Sequence, residues 1–308
     1  MNISVLGAGA IGGWVAAKLA LAGEQVMALT SRGPLDRMVL DETRETKAAD
    51  LARFDGPADL LIVAVKATTL TAAAGSARKL VGPDTVILPM LNGVPWWFVE
   101  GTQLTSVDRD GSVAEAFPFD QILGCVVHAS CYRPEPDRVA VKHADKLIIG
   151  EPRGGETTER LAELFGLLDR AGLKPDITGN VRRAIWYKLW GNATINPLSA
   201  LTRATCDRIL AQPECRAWML EGMAELAAIG GAIGCPISES GEDRMAVTAR
   251  LGAFKTSMLQ DVEAGRPIEL EALLGAPREI AAAKGIATPA LDRLYGVTRL
   301  MAESLRLG

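Results

Sequence analysis

The chain has 308 residues, of which 48% are hydrophobic and 23% are charged, and its formal net charge is −4. Its length allows two domains or one large one, and its composition is typical of a globular protein. The lysines and arginines are scattered and the net charge is negative, which argues against nucleic acid or an anionic membrane surface as a partner.

The first predicted elements are an apolar strand over Met1–Leu6 and a helix over Gly13–Ala22, joined by a glycine-rich turn. The turn matches the GxGxxG fingerprint of dinucleotide-binding folds in the strand–turn–helix context that this fingerprint requires. Gly7 permits the tight turn, Gly9 lets a pyrophosphate approach the backbone, and Gly12 lets the helix pack closely on the strand. The helix N-terminus offers N–H groups to the phosphates. The predicted cofactor loop is Gly7, Ala8, Gly9, Ala10, Ile11 and Gly12.

The end of the second predicted strand, Gln25–Thr30, indicates which dinucleotide binds. An NAD site usually has an acidic residue near this point, which binds the ribose hydroxyls. Here Ser31 and Arg32 follow instead. They can hydrogen-bond and neutralise a 2′-phosphate, so the sequence favours NADP(H). The alternative is that Arg32 is an ordinary solvated loop residue.

Alternating elements continue with a buried strand over Asp59–Val65, a helix over Thr68–Leu80 and a strand over Thr85–Leu91. Repeated βα units predict an open parallel sheet that binds ligands beyond the carboxyl ends of its strands. Lys66 and Asn92, the latter followed by a glycine, fall at that edge. Each has a plain alternative, a solvated lysine and an Asn-Gly turn respectively.

Three β segments follow, and we expect them to extend the same sheet with antiparallel strands. A helix over Thr157–Ala171 and a strand over Pro175–Thr178 then end the first domain at Gly179–Asn180. The predicted class is α/β, with a Rossmann-type dinucleotide-binding domain (1–179) and an all-helical C-terminal domain (180–308). A cleft between two domains is the expected place for chemistry. The β segments are 123–130, 138–143 and 146–150, and the later predicted helices are 213–234, 239–263, 269–284 and 288–305.

The segment 181–197 predicts a buried helix, because it is apolar nearly all round. At roughly 100° per residue, Lys188, Asn192 and Asn196 lie on one face, opposite two tryptophans. A buried ammonium without a counter-charge loses its proton more readily than in water, so Lys188 is a candidate proton donor. The alternatives are a solvated lysine and an asparagine that ends the helix before Pro197.

A second polar segment spans residues 254–269. Ser257, Gln260 and Asp261 share a helix face there, and Glu269 begins the next helix, where an acidic residue is often only a cap. Arg203 and Arg266 are open candidates for anchoring a substrate carboxylate.

The five cysteines and two histidines show no metal-ligand spacing, so we predict no metal site. An odd number of cysteines fits a reducing compartment. No stretch is long enough to span a membrane, and the apolar N-terminus lacks the basic region of a signal peptide. We therefore expect a soluble, cytoplasmic protein.

Taken together, these stretches resemble the ketopantoate reductase family, the 2-dehydropantoate 2-reductases of pantothenate biosynthesis. The resemblance spans nearly the full length and rests on residues 5–12, 65–66, 92–93, 188–197 and 257–269. It implies that Lys188 is the general acid, and that Lys66 and Arg32 face the ribose of NADPH and its phosphate. Asn92 would contact both cofactor and substrate. The implied substrate-binding residues are Asn92, Asn192, Asn196, Ser257 and Glu269, the last accepting a substrate hydroxyl.

The expected activity is NADPH-dependent reduction of a small 2-oxo acid to a 2-hydroxy acid, with ketopantoate as the foremost substrate. Residues 95–97 and the polar stretch after them depart from the family pattern and leave the substrate open. The alternatives are an NADP-dependent dehydrogenase for another keto acid, a 3-hydroxy acid or an imine, and a non-catalytic NADPH sensor. Whether the protein forms a homodimer is also open.

Overall fold

Two units make up the chain in the computed structural model, which describes residues 1–43, 45–250 and 252–307. One unit comprises Met1–Leu91 and Asp110–Ala184, and the other comprises Asn92–Arg109 and Ile185–Gly308. The segment that begins at Asn92 is thus grouped with the C-terminal residues. The domain division at Gly179–Asn180 stays a prediction.

The first unit is an α/β structure. Its strands are β1 (Asn2–Leu6), β2 (Gln25–Thr30), β3 (Gly33–Pro34), β4 (Arg37–Glu42), β5 (Glu45–Asp50), β6 (Leu60–Val63), β7 (Val86–Pro89), β8 (Gly124–Glu135), β9 (Arg138–Gly150) and β10 (Pro175–Ile177). Its helices are α1 (Ala10–Leu21), α2 (Leu70–Ala77), α3 (Ser112–Ala116) and α4 (Glu159–Arg170).

The first sheet has the order β3-β2-β1-β6-β7, in which β2, β1, β6 and β7 are parallel and β3 is antiparallel to β2. Its central strands are the apolar runs predicted from the sequence, and every residue of β6 is buried. Continuous apolar strands are typical of parallel sheets that are covered on both faces. The predicted Rossmann-type sheet is therefore confirmed.

The prediction that the β segments after residue 123 extend this sheet is wrong. They form a second sheet, in which β9 pairs antiparallel with β8 and parallel with β4 and β10, while β4 pairs with β5. The predicted strands 138–143 and 146–150 are one strand, β9. The hairpin of β4 and β5 went unpredicted because β5 is polar and only Ala49 within it is buried.

Helix α1 packs against both sheets, and one hydrophobic core fills this unit. Gly13 lets α1 lie close to β9, because a Cβ there would come within 2.8 Å of Val139. Thr158 caps α4 by accepting a hydrogen bond from the backbone N–H of Leu161.

The second unit is helical, as predicted. Its helices are α5 (Val181–Thr202, whose first turn belongs to the first unit), α6 (Cys206–Ala211), α7 (Pro213–Ala232), α8 (Gly241–Ala249), α9 (Ser257–Glu263), α10 (Ala276–Ala283) and α11 (Pro289–Ser304). The predicted helix 239–263 is instead two helices, α8 and α9, and Leu251 between them lies outside the described residues. The predicted helix 269–284 begins with a π-helical turn, Glu271–Gly275.

Helix α5 is buried against α7 by its two tryptophans. The indole N–H of Trp186 donates to the Leu226 carbonyl at 2.9 Å, and that of Trp190 donates to the Met223 carbonyl at 2.7 Å. Both rings are at most 2% exposed. This packing fixes the rotation of α5 and leaves the Lys188 face turned away from α7. Pro197 does not end the helix, which continues to Thr202.

None of the described helices is both long enough and apolar enough to cross a lipid bilayer.

Candidate active site

The glycine turn after β1 has the backbone geometry that its sequence requires. Gly7 has φ +96°, and the N–H groups of Gly7 and Ala8 both donate to the Leu29 carbonyl. A Cβ on Gly7 would lie 2.8 Å from the Val65 nitrogen, and one on Gly12 would lie 2.2 Å from the Gly7 oxygen. A Cβ on Gly9 would have no atom closer than 4.0 Å. The first and third glycines are therefore needed for packing, whereas Gly9 faces open space.

A pocket of about 270 Å³ opens in front of this turn. Its walls are Gly7, Ala8, Gly9, Thr30, Ser31, Arg32, Leu35, Arg133 and Pro136. No acidic side chain is among these residues, and the first turn of α1 also has none. An open glycine, the start of a 12-residue helix and arginine side chains together suit an anionic nucleotide. The residues of the pocket therefore fit the phosphates of a dinucleotide cofactor.

The structure places the predicted residues Ser31 and Arg32 in this pocket, and both are exposed. Arg133 also lines it, and sequence reasoning missed this residue. It lies near the end of β8, and its Nη1 donates to the Ala8 carbonyl at 2.9 Å. The sequence indicates a turn at residues 134–137, but only the strand pairing of the second sheet places Arg133, just before that turn, next to the glycine turn.

Lys66, the other predicted cofactor residue, follows β6 and is half-buried. Its carbonyl accepts hydrogen bonds from the backbone N–H and the hydroxyl of Thr69. This turn begins the segment of short helices that stands where a single helix over Thr68–Leu80 was predicted.

In the second unit, Lys188 and Asn92 are brought together. The Nζ of Lys188 donates to Oδ1 of Asn92 at 2.9 Å, and both side chains are half-buried. This lysine therefore lies in a polar, partly enclosed position, neither fully solvated nor sealed in the core. The amide oxygen accepts this hydrogen bond and orients the ammonium.

The segment that bears Asn92 is docked on the π-helical turn. The N–H of Val94 donates to the Ala272 carbonyl at 2.8 Å. Gly93 has φ +79°, and a Cβ there would lie 2.5 Å from that same oxygen. Single π-helical turns occur frequently at functional sites. Here the turn begins two residues after Glu269, so one short stretch supports Asn92 and also bears the predicted substrate carboxylate.

Asn192 and Asn196 lie on the same face of α5 as Lys188. Asn196 is only 6% exposed and Asn192 is half-buried. Within the described residues, neither side-chain amide has a hydrogen-bond partner. Each amide thus has a carbonyl oxygen and an NH₂ group that are available to a polar ligand beside Lys188.

The remaining predicted residues are placed as follows. Ser257 is exposed in the first turn of α9, whose cap is Thr256. Glu269 is half-buried just before the π-helical turn. Arg266, a candidate carboxylate anchor, is paired with the buried Asp261 at 2.9 Å, and Arg203 is exposed with φ +57° after α5. Among the described residues, hydrogen bonds do not join Ser257 to the Lys188–Asn92 pair.

Glu279 is a further residue that sequence reasoning missed. Its carboxylate accepts four hydrogen bonds, from the backbone N–H and the hydroxyl of both Thr105 and Ser106. Burial by itself raises the pKa of Glu279, but the donors of Ser106 and Thr105 outweigh it and hold the pKa below its ordinary value. Glu279 thereby ties down the far end of the segment that begins at Asn92.

No group of three or more His, Cys, Asp or Glu side chains in the described parts of the chain could hold a metal ion. The five cysteines are free thiols. Burial raises the pKa of Cys131 to about 12 and that of Cys206 to about 11, which makes both poor nucleophiles.

Comparison with known proteins gives a consistent result. Residues 3–154 match the family described as "Ketopantoate reductase PanE/ApbA", and residues 180–302 match its C-terminal counterpart. The chain is 35% identical to a 2-dehydropantoate 2-reductase of Mesorhizobium japonicum, with 98% of each chain covered.

Solved structures agree with this. A ketopantoate reductase-like protein of Ralstonia solanacearum MolK2 superimposes with a TM-score of 0.93 at 44% identity, covering 100% of this chain and 99% of that one. A 2-dehydropantoate 2-reductase of Geobacter metallireducens does so with a TM-score of 0.84 at 27% identity, covering 98% and 100%. The chain belongs to the ketopantoate reductase family, whose members are nicotinamide-dependent oxidoreductases that act on a CH–OH group.

Proposed function

We propose that this protein is an NADPH-dependent reductase of a small 2-oxo acid, and that the acid is ketopantoate, which becomes pantoate. One observation supports this most strongly. The half-buried Lys188 donates a hydrogen bond to Asn92. The helix face that bears Lys188 also carries Asn192 and Asn196, whose amides have no hydrogen-bond partner among the described residues. That arrangement offers a proton donor and hydrogen-bond donors for a carbonyl compound.

The pocket at the glycine turn is the proposed cofactor site. The loop Gly7–Gly12 would hold the pyrophosphate, and Ser31 and Arg32 would hold the 2′-phosphate. Lys66 would contact the ribose, and Asn92 would contact the nicotinamide end of the cofactor. When bound, NADPH supplies the hydride for reduction of a ketone. The absence of an acidic residue among the walls of this pocket supports NADPH over NADH, because a carboxylate would repel the 2′-phosphate.

Lys188 is the proposed general acid. As hydride adds to a ketone, negative charge develops on its oxygen, and a positioned acid that donates a proton there contributes on the order of 10²–10⁴-fold in rate. The residues proposed to orient the substrate are Asn192, Asn196 and Ser257. Glu269 is proposed to accept a hydrogen bond from a substrate hydroxyl. The hydrogen bond to Asn92 supports this role, since it restricts the position of the Lys188 Nζ atom.

The choice of ketopantoate as the substrate rests on the names of the relatives. The proteins of Mesorhizobium japonicum and Geobacter metallireducens are both named 2-dehydropantoate 2-reductase. The buried Trp96 and Trp97, which follow Asn92 in a stretch that departs from the family pattern, are the main reason to test other acids. A homodimer is a further proposal, which light scattering of the purified protein tests.

The direct test is oxidation of NADPH, followed by absorbance, with ketopantoate and a panel of other 2-oxo acids, 3-oxo acids and imines. The same panel is run with NADH. We expect the highest kcat/KM for ketopantoate with NADPH. A better alternative acid would correct the substrate only. Tight NADPH binding without turnover of any carbonyl compound would favour the sensor interpretation and contradict the proposal.

A further inference from the structure

Arg133 lies where a strand of the second sheet meets the glycine turn. It is exposed, and its Nη1 donates to the Ala8 carbonyl at 2.9 Å. A guanidinium has five N–H donors in a rigid fork. Within the described residues, Arg133 makes no ion pair and no other side-chain hydrogen bond. One donor thus fixes the group in place, while the others are available to a ligand.

The pocket that Arg133 lines has an unbalanced positive charge. Arg32 forms another part of the wall, and its guanidinium also lacks a partner among the described residues. None of the nine described residues that line the pocket bears a carboxylate that could neutralise either group. Two unpaired guanidiniums in one pocket match a dianion better than a single negative charge.

The position of Arg133 depends on a well-anchored hairpin. Next to its tip, Arg138 forms a two-pronged ion pair with Asp41 of β4, with distances of 2.6 and 2.9 Å. The start of β9 also pairs with β4, through Val39, Leu40 and Asp41. These contacts hold the start of β9 against β4, and Arg133 lies across the hairpin from them, in an irregular part of the β8–β9 pairing.

We propose that Arg133 is a second specificity-determining residue for NADPH, which binds the 2′-phosphate together with Arg32. A phosphomonoester carries a charge of roughly −1.5 to −2 near pH 7, whereas the ribose of NADH offers only hydroxyls at that place. The apolar side chains of Leu35 and Pro136 in the same wall suit the adenine ring beside that phosphate. The proposal rests on the proposed use of NADPH, but it concerns a residue that neither the glycine motif nor the second strand contains.

The test measures equilibrium binding of nucleotide fragments by calorimetry, which requires no turnover. The fragments are adenosine 2′,5′-bisphosphate, 5′-AMP and ADP. The variants are Arg133→Ala, Arg133→Lys, Arg32→Ala and, as a control, Arg37→Ala, an exposed arginine of the same unit that does not line the pocket. Thermal denaturation of each variant checks that it is folded.

We expect Arg133→Ala to raise the Kd of the 2′,5′-bisphosphate about tenfold or more, the usual effect of losing a charge-assisted hydrogen bond. The Kd values of 5′-AMP and ADP should change less than about twofold. Arg133→Lys, which keeps the charge but loses the fork, should lie between Arg133→Ala and the wild type. Arg37→Ala should bind like the wild type.

Two outcomes would overturn the proposal, and only the second would also contradict the proposed use of NADPH. If Arg133→Ala weakens all three fragments equally, Arg133 only supports the glycine turn, and if it weakens none, Arg133 has no part in nucleotide binding. In both cases the role of Arg32 and the reductase function stand. If the wild type binds the 2′,5′-bisphosphate no better than 5′-AMP, the site does not recognise a 2′-phosphate. Both this inference and the proposed use of NADPH are then wrong.

Discussion

Lys188 and Asn92 are 96 residues apart in the chain, yet the lysine ammonium donates to the asparagine amide oxygen at 2.9 Å. Both belong to the helical unit, because the segment that starts at Asn92 is grouped with the C-terminal residues. The lysine is positioned by a helix whose other face is fixed by two tryptophans. The asparagine is positioned by a backbone contact to the Ala272 carbonyl. The pair therefore depends on two separate elements, each of which can be tested.

The first prediction concerns Gly93, next to Asn92. In Gly93→Ala the new methyl group would lie 2.5 Å from the Ala272 backbone oxygen, which cannot move aside cheaply. We expect Asn92 to be displaced and kcat to fall at least tenfold, with a loss of stability of roughly 2 kcal/mol or more from overpacking and backbone strain.

Gly101→Ala is the matched control, because Gly101 has a similar φ of +70° but no atom within 4 Å of a Cβ. It should lose only about 1–2 kcal/mol from strain and keep its kcat. Thermal denaturation and steady-state kinetics measure both effects. Equal behaviour of the two variants would mean that the contact with Ala272 does not position Asn92.

The second prediction concerns the side-chain amide of Asn196, a residue that is only 6% exposed. Since this amide lacks a hydrogen-bond partner within the described residues, Asn196→Ala breaks no protein hydrogen bond and should cost less than about 1 kcal/mol. The KM for the keto acid should rise about tenfold, while the Kd of NADPH stays unchanged. A large drop in melting temperature with an unaltered KM would assign the amide to the fold instead of the substrate.

The third prediction concerns pH and Glu279. The pKa of this carboxyl is held below its ordinary value, so its contribution to stability is present above the unfolded-state pKa and is lost as the pH falls through the folded-state pKa. Glu279→Gln cannot ionise, so its melting temperature should be clearly below that of the wild type at pH 7. The gap should close as the pH falls below about 4.3, the ordinary pKa of glutamate.

Glu156→Gln, at an exposed glutamate, should follow the wild type across this range. A gap between Glu279→Gln and the wild type that stays constant from pH 7 to pH 3 would show that charge is not the reason for the hydrogen-bonded arrangement.

Much of the fold is predictable from local sequence patterns. The glycine fingerprint, the four apolar parallel strands and the helical second half all follow from periodicity and turn chemistry within short windows. The second sheet does not, because its pairing joins residues about 100 positions apart, such as Val39 with Arg138. In its hairpin of β4 with β5, strand β5 is polar and lacks the alternation of apolar residues that marks a strand.

The candidate site divides in the same way. Helical spacing places Lys188, Asn192 and Asn196 on one face, and in the structure all three lie on one continuous helix, α5. The partners of these residues are less visible in the sequence. Arg133 reaches the glycine turn only through the second sheet, and the contact that positions Asn92 is made by a backbone carbonyl, which no residue type marks.

The central claim is that Lys188 gives the proton in reduction of a keto acid. Its most direct test compares Lys188→Ala with the wild type in NADPH oxidation with ketopantoate, and measures NADPH binding to both. Lys284→Ala, at an exposed lysine of the same unit, is the control. We predict that Lys188→Ala binds NADPH within about twofold of the wild type and loses at least about 100-fold in kcat, with partial recovery by added primary amines. A variant that binds NADPH and keeps near-normal kcat would contradict this account.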